Sequence, residues 1–81
     1  MGKREVQIMA RVKEECQQIK YEIEVIYKLQ AQGFTLKEIA VTLAMPDARV
    51  KTIQENIRKW GDKETKTDLI GRVFNALYIN Q

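Results

Sequence analysis

Residues 33–57 read GFTLKEIAVTLAMPDARVKTIQENI, two short amphipathic segments on either side of Met45-Pro46-Asp47. In the first segment Leu36, Ile39, Ala40 and Leu43 fall on one face of a 3.6-residue period, and in the second Val50, Ile53, Ile57 and Trp60 do the same. Pro46 cannot continue the first segment and Asp47 suits the start of the next, so the spacing predicts helix, tight turn, helix. Thr35 and Glu38 form a capping box that starts the first helix at Leu36, and it ends near Ala44. The next helix is expected from Asp47 to Trp60, stopped by Gly61. A helix-turn-helix of this kind holds its second helix where it can enter a DNA major groove.

Upstream, no Gly or Pro interrupts residues 3–32, and Met9, Val12, Cys16, Ile19, Ile23 and Ile26 step by three and four. This heptad seam, about two and a half repeats long, predicts a first helix over 4–31. At 1.5 Å per residue it extends about 40 Å. Val25 and Leu29 widen its apolar face at the end that meets the helix-turn-helix, and Gly33 ends it with positive φ. Downstream, Thr65 with Asp68, or Thr67 alone, caps a fourth helix reaching about residue 79, with Leu69, Ile70, Val73, Phe74 and Leu77 on one face. The expectation is an all-α single domain over 1–81: a long N-terminal helix over 4–31, then the central helix-turn-helix and C-terminal helix over 33–79. Two surfaces are candidate homodimer interfaces, the seam at Met9, Val12, Cys16, Ile19 and Ile23, and the fourth-helix face at Leu69, Val73 and Leu77.

Composition narrows the chemistry. With no His and one Cys among 81 residues, the chain cannot build a zinc finger, use imidazole acid–base catalysis or close an intrachain disulfide. Neighbouring carboxylates such as Glu14 and Glu15, or Glu22 and Glu24, read as a solvated helix face rather than a catalytic pair. No enzymatic activity, cofactor or metal is expected. No apolar run reaches the ~18 residues a bilayer span needs, and MGKREVQ lacks the apolar core of a secretion signal, so a cytoplasmic location with no membrane partner is expected. The net charge of +3 is compatible with nucleic acid without pointing to it. Its distribution says more: within 46–66, Arg49, Lys51, Arg58, Lys59, Lys63 and Lys66 outnumber Asp47, Glu55, Asp62 and Glu64.

The run Glu24-Val25-Ile26, Leu29 and Gly33, then Lys37-Glu38-Ile39-Ala40, Leu43, Val50-Lys51 and Asn56-Ile57, resembles the LuxR/GerE-type helix-turn-helix domain of bacterial transcription regulators over about residues 22–77. KEIA followed by L, VK and NI at the family's spacing is its most specific part. The resemblance implies a four-helix domain that binds DNA sequence-specifically, commonly as a dimer, with the third helix in the major groove and the fourth often pairing subunits. Lys51 matches a family DNA contact directly. The chain departs from the family at Pro46, where a capping Ser is usual, and at Arg49, where Thr is usual. Ile53 and Gln54 replace a frequent His-Arg pair, and Trp60-Gly61 replaces Lys-Leu.

Apart from the resemblance, a rotation of 100° per residue places Ala48, Lys51, Thr52, Glu55, Arg58 and Lys59 opposite the apolar stripe of the third helix. Lys51 or Arg58 can donate to guanine O6 and N7, Thr52 can bond a base or pack on a thymine methyl, and Glu55 can accept from cytosine N4. Lys37, in the first turn of the second helix, is placed for a phosphate. The expected partners are therefore double-stranded DNA and a second copy of the chain. Glu55 at the centre of the groove face, the small basic excess and the long seam support a rival reading. In that reading the same fold binds another transcription protein, a regulator or polymerase subunit, and inhibits or redirects it.

Overall fold

The computed structural model describes residues 3–79, and side chains from residue 11 onward. Its helices are α1 (Lys3–Ala31), α2 (Leu36–Leu43), α3 (Asp47–Trp60) and α4 (Lys66–Tyr78), with no strand among the described residues. The all-α, four-helix expectation holds. No described helix is long and apolar enough to cross a membrane.

The helix ends follow local chemistry. Gly33 takes φ +91°, a left-handed conformation that costs glycine nothing, and this lets the Phe34 amide reach back to the Leu29 carbonyl at 3.0 Å. At α2 the Thr35 hydroxyl accepts from the Glu38 amide at 3.2 Å while the Glu38 carboxylate accepts from the Thr35 amide at 3.0 Å, the reciprocal box expected from the sequence. Thr65 likewise accepts from the Asp68 amide at the start of α4. The start of α3 differs: Pro46 occupies the cap position, and no side chain caps the helix. Its carbonyl takes the Arg49 and Val50 amides instead.

Two helix ends carry backbone features that the sequence did not indicate. Ala44, the C-cap of α2, adopts φ 53°, ψ 46°, a left-handed conformation unusual for a residue with a Cβ. The Met45 amide then closes on the Ala40 carbonyl, so the strain produces the sharp reversal into α3. Gly61 is not left-handed; with φ −55° and ψ −37° it continues the helical path, and the reversal falls at Lys63 and Glu64, whose amides both return to the Trp60 carbonyl. Glycine is needed at 61 for a steric reason, because a Cβ there would stand 2.4 Å from the Ile57 carbonyl oxygen.

All four helices supply the core. Ile19, Ile23 and Ile26 of α1, Ile39 and Ala40 of α2, Val50, Ile53 and Ile57 of α3, and Leu69 and Val73 of α4 are buried together, with Leu29, Leu36, Met45, Trp60, Phe74 and Leu77 partly buried around them. α1 and α3 each touch every other helix, whereas α2 and α4 do not touch.

Within the single chain, this packing places most of the expected interface residues in the core. Ile19 is 0 % exposed, and Ile23, Leu69 and Val73 are also buried within the single chain, so these four offer no apolar surface to a second copy. Leu77 packs against the same core. Of the heptad seam only Val12, 41 % exposed, and the half-buried Cys16 remain near the surface, and the Met9 side chain lies outside the described residues. The seam is periodic because α1 must cover its own domain. Ile19→Ala is accordingly expected to cost about 2–5 kcal/mol in urea unfolding. That loss should be independent of protein concentration, and a loss that shrinks on dilution would place Ile19 at a subunit interface.

Candidate nucleic-acid interface

The orientation of α3 is fixed by a polar network on one flank and by apolar packing beneath. Arg49 donates through Nε to Glu22 Oε1 at 2.7 Å and through Nη2 to Glu22 Oε2 at 3.2 Å, a two-pronged contact between α3 and α1. Its Nη1 donates to the Tyr78 hydroxyl at 3.1 Å, and that hydroxyl donates onward to Glu15 at 2.5 Å. Gln18 also donates to Glu22. One arginine thus joins α1, α3 and α4. Burial by itself would push the Arg49 guanidinium down, but the hydrogen bonds to Glu22 and Tyr78 outweigh it and hold the group above its ordinary value.

Glu22 was expected on a solvated face. Its side chain is only 3 % exposed, the one buried charged residue among those described. Helical periodicity could not reveal this, because the partner Arg49 lies 27 residues away in sequence.

At the other end of α3, the Arg72 guanidinium lies 3.6 Å from the Trp60 ring centroid and forms two hydrogen bonds to Glu64. Lys66 bonds to Glu24 of α1. Hydrogen bonding to Arg72 holds the Glu64 carboxyl below its ordinary range, Lys66 does the same for Glu24, and the Thr35 backbone amide does so for Glu38. A carboxyl depressed on folding stabilises the protein above its unfolded pKa, and that contribution disappears as pH falls through the folded value. These three pairs therefore weaken together on the acid side.

With Arg49, Lys66 and Arg72 engaged, the other cations of α3 face outward. Lys51, Arg58 and Lys59 are exposed and form no salt bridge among the described residues; Lys59 lies 5.2 Å from the Trp60 ring centroid. Ala48 and Glu55 are exposed beside them, and Thr52 is half-buried with its hydroxyl bonded to the Ala48 carbonyl. That bond occupies the Thr52 proton and leaves the hydroxyl oxygen able to accept. The predicted face of α3 is thus assembled as one surface, with Asp47 and Glu55 as its carboxylates. Lys37 is exposed on the first turn of α2, a separate helix. A shallow depression of about 240 Å³ is lined by Lys51, Gln54, Glu55 and Arg58 of α3 and by Gln30 of α1. Gln30 and Gln54 were missed by the sequence reading, and no periodic signal marks them, since each becomes part of the surface only through the crossing of α1 and α3. No cluster suited to a metal occurs among the described residues.

Compared with protein-family models, with curated proteins and with solved structures, the chain matches none.

The Arg49–Glu22 pair is expected to be asymmetric. Arg49→Ala strands a buried carboxylate and should cost about 3–5 kcal/mol. Glu22→Ala leaves an arginine that can still reach water, and should cost about 1–3 kcal/mol. Denaturant midpoints of the two variants test this, and equal losses would mean that Glu22 is solvated in the folded protein.

Proposed function

We propose that this protein is a DNA-binding transcriptional regulator that presents α3 to the major groove of duplex DNA. The observation that carries the reading is the division of cations on α3 and its neighbours. Arg49, Lys66 and Arg72 hold helices together, whereas Lys51 and Arg58 form no ion pair among the described residues and Lys59 contacts only the Trp60 ring, all three on one outward face. An uncommitted cation can exchange its counterions for phosphates or donate to a guanine edge without breaking the fold. The LuxR/GerE-like run of residues, with Lys51 at a family contact position, supports the same face. Lys37 supplies a phosphate contact from the start of α2. Two half-sites would require a second copy, and Val12 and Cys16 on the outer part of α1 are the seam surface left for it.

A second reading has its own observation. Glu55 is exposed in the middle of the cationic face and Asp47 stands in its first turn, which suits a surface that meets another transcription protein. Glu55→Gln separates the two, because it removes the charge while keeping a hydrogen-bonding side chain of similar shape. A DNA reader should change its sequence preference, and a protein-binding surface should gain only weak, sequence-independent affinity for DNA. Lys51→Ala should weaken binding to a selected site by about 1–3 kcal/mol in fluorescence anisotropy titrations. Absence of salt-sensitive binding by the unmodified protein down to about 50 mM salt would rule out the DNA reading.

A further inference from the structure

A second and larger depression, about 680 Å³, runs between α1, the end of α3 and the start of α4. Its floor is formed by Ile23, Ile57 and Leu69, each less than a tenth exposed, and Tyr27 stands exposed on its wall. Around this apolar lining stand charged side chains from all three helices and the α3–α4 loop. Two of its carboxylates are neutralised in place, Glu24 by Lys66 and Glu64 by Arg72. The charges left without an ion pair are Lys28 and Arg58, against Asp62 alone. Lys28 belongs to the last turn of α1. Gln30 and Arg58 line both this depression and the smaller one beside Lys51, so the two adjoin.

From this geometry we infer that the C-terminal end of α1 is part of the DNA-binding surface, with Lys28 and Arg58 forming a track for the phosphodiester backbone that flanks the groove read by α3. The inference rests on the proposed function and extends it to a helix that lies outside the helix-turn-helix. α1 then has two tasks at its C-terminal half: one face completes the core through Ile23 and Ile26, and the adjacent edge neutralises phosphate. Phosphate contacts of this kind fix register and carry no sequence information.

The track is tested by the salt dependence of binding to a short mixed-sequence duplex, measured by anisotropy. Each phosphate contact contributes about 0.9 to the slope of log K against log salt. Lys28→Ala should flatten the slope by about that amount and leave the ranking of different duplex sequences unchanged. Gln30→Lys places a new cation at the junction of the two depressions and should steepen it by a similar amount. Lys13→Ala removes the same charge from α1 roughly 22 Å along the helix from Lys28, at 1.5 Å per residue, and should leave the slope as it was. Thermal unfolding of each variant verifies that the fold is retained. If the unmodified protein binds with a steep slope but Lys28→Ala and Gln30→Lys do not alter it, the phosphate track is wrong while the α3 reading stands. A fall with Lys13→Ala equal to that with Lys28→Ala would also overturn the track, since net charge alone would then explain the effect. No salt-sensitive binding by the unmodified protein would overturn both.

Discussion

α3 must bury one stripe and keep the opposite face in water, and the placement of every other helix follows from that requirement. Val50, Ile53 and Ile57 are buried in a core to which α1, α2 and α4 all contribute. Burying one side chain of this size contributes about 1.5–3 kcal/mol. In a chain of 81 residues the net stability is of the order of 5–15 kcal/mol, so a single core position carries a large share. This explains why the apolar face of α4 and the inner half of the α1 seam are used inside the domain. The core has few residues to spare for an interface.

The buried stripe of Val50, Ile53 and Ile57 sets which side of α3 faces inward, and Arg49 adds a directional contact on its flank. A planar guanidinium matched to both oxygens of one carboxylate has a direction as well as a length, and the Tyr78 hydroxyl fixes its third edge. Arg49 thus ties α3 to α1 and α4 on one flank and reinforces the orientation that the apolar stripe sets. Pro46 at the cap position fits the same account, since the start of α3 is held by a side chain three residues into the helix instead of by a capping hydroxyl.

Local features of the fold were readable in the sequence. Thr35 with Glu38, Thr65 with Asp68, and Gly33 each act within four residues of themselves, and the helix boundaries they imply agree with the observed ones. The apolar stripe of α3 was readable for the same reason, and with it the outward placement of Lys51, Arg58 and Lys59. Nonlocal features were not. A heptad seam states that α1 has an apolar face but not what covers it, so Ile19 and Ile23 fitted a second copy as well as the chain's own core. Glu22 looked solvated because the charges beside it in sequence are solvated, and its partner comes from another helix. Gly61 was legible as the stop of α3, but the reason glycine is needed there was not. The constraint that acts there is the crowded Ile57 carbonyl.

α1 has no glycine or proline between Lys3 and Ala31, so it lacks the usual sites at which helices kink. It spans most of the 47 Å long dimension of the molecule as one stiff rod, with its outer part projecting past the residues that build the core. The rod meets α3 on both flanks, through Glu22 on one side and through Gln30 on the other. Its core residues Ile19, Ile23 and Ile26 all lie in the C-terminal half, so the whole rod is anchored to the domain from one end.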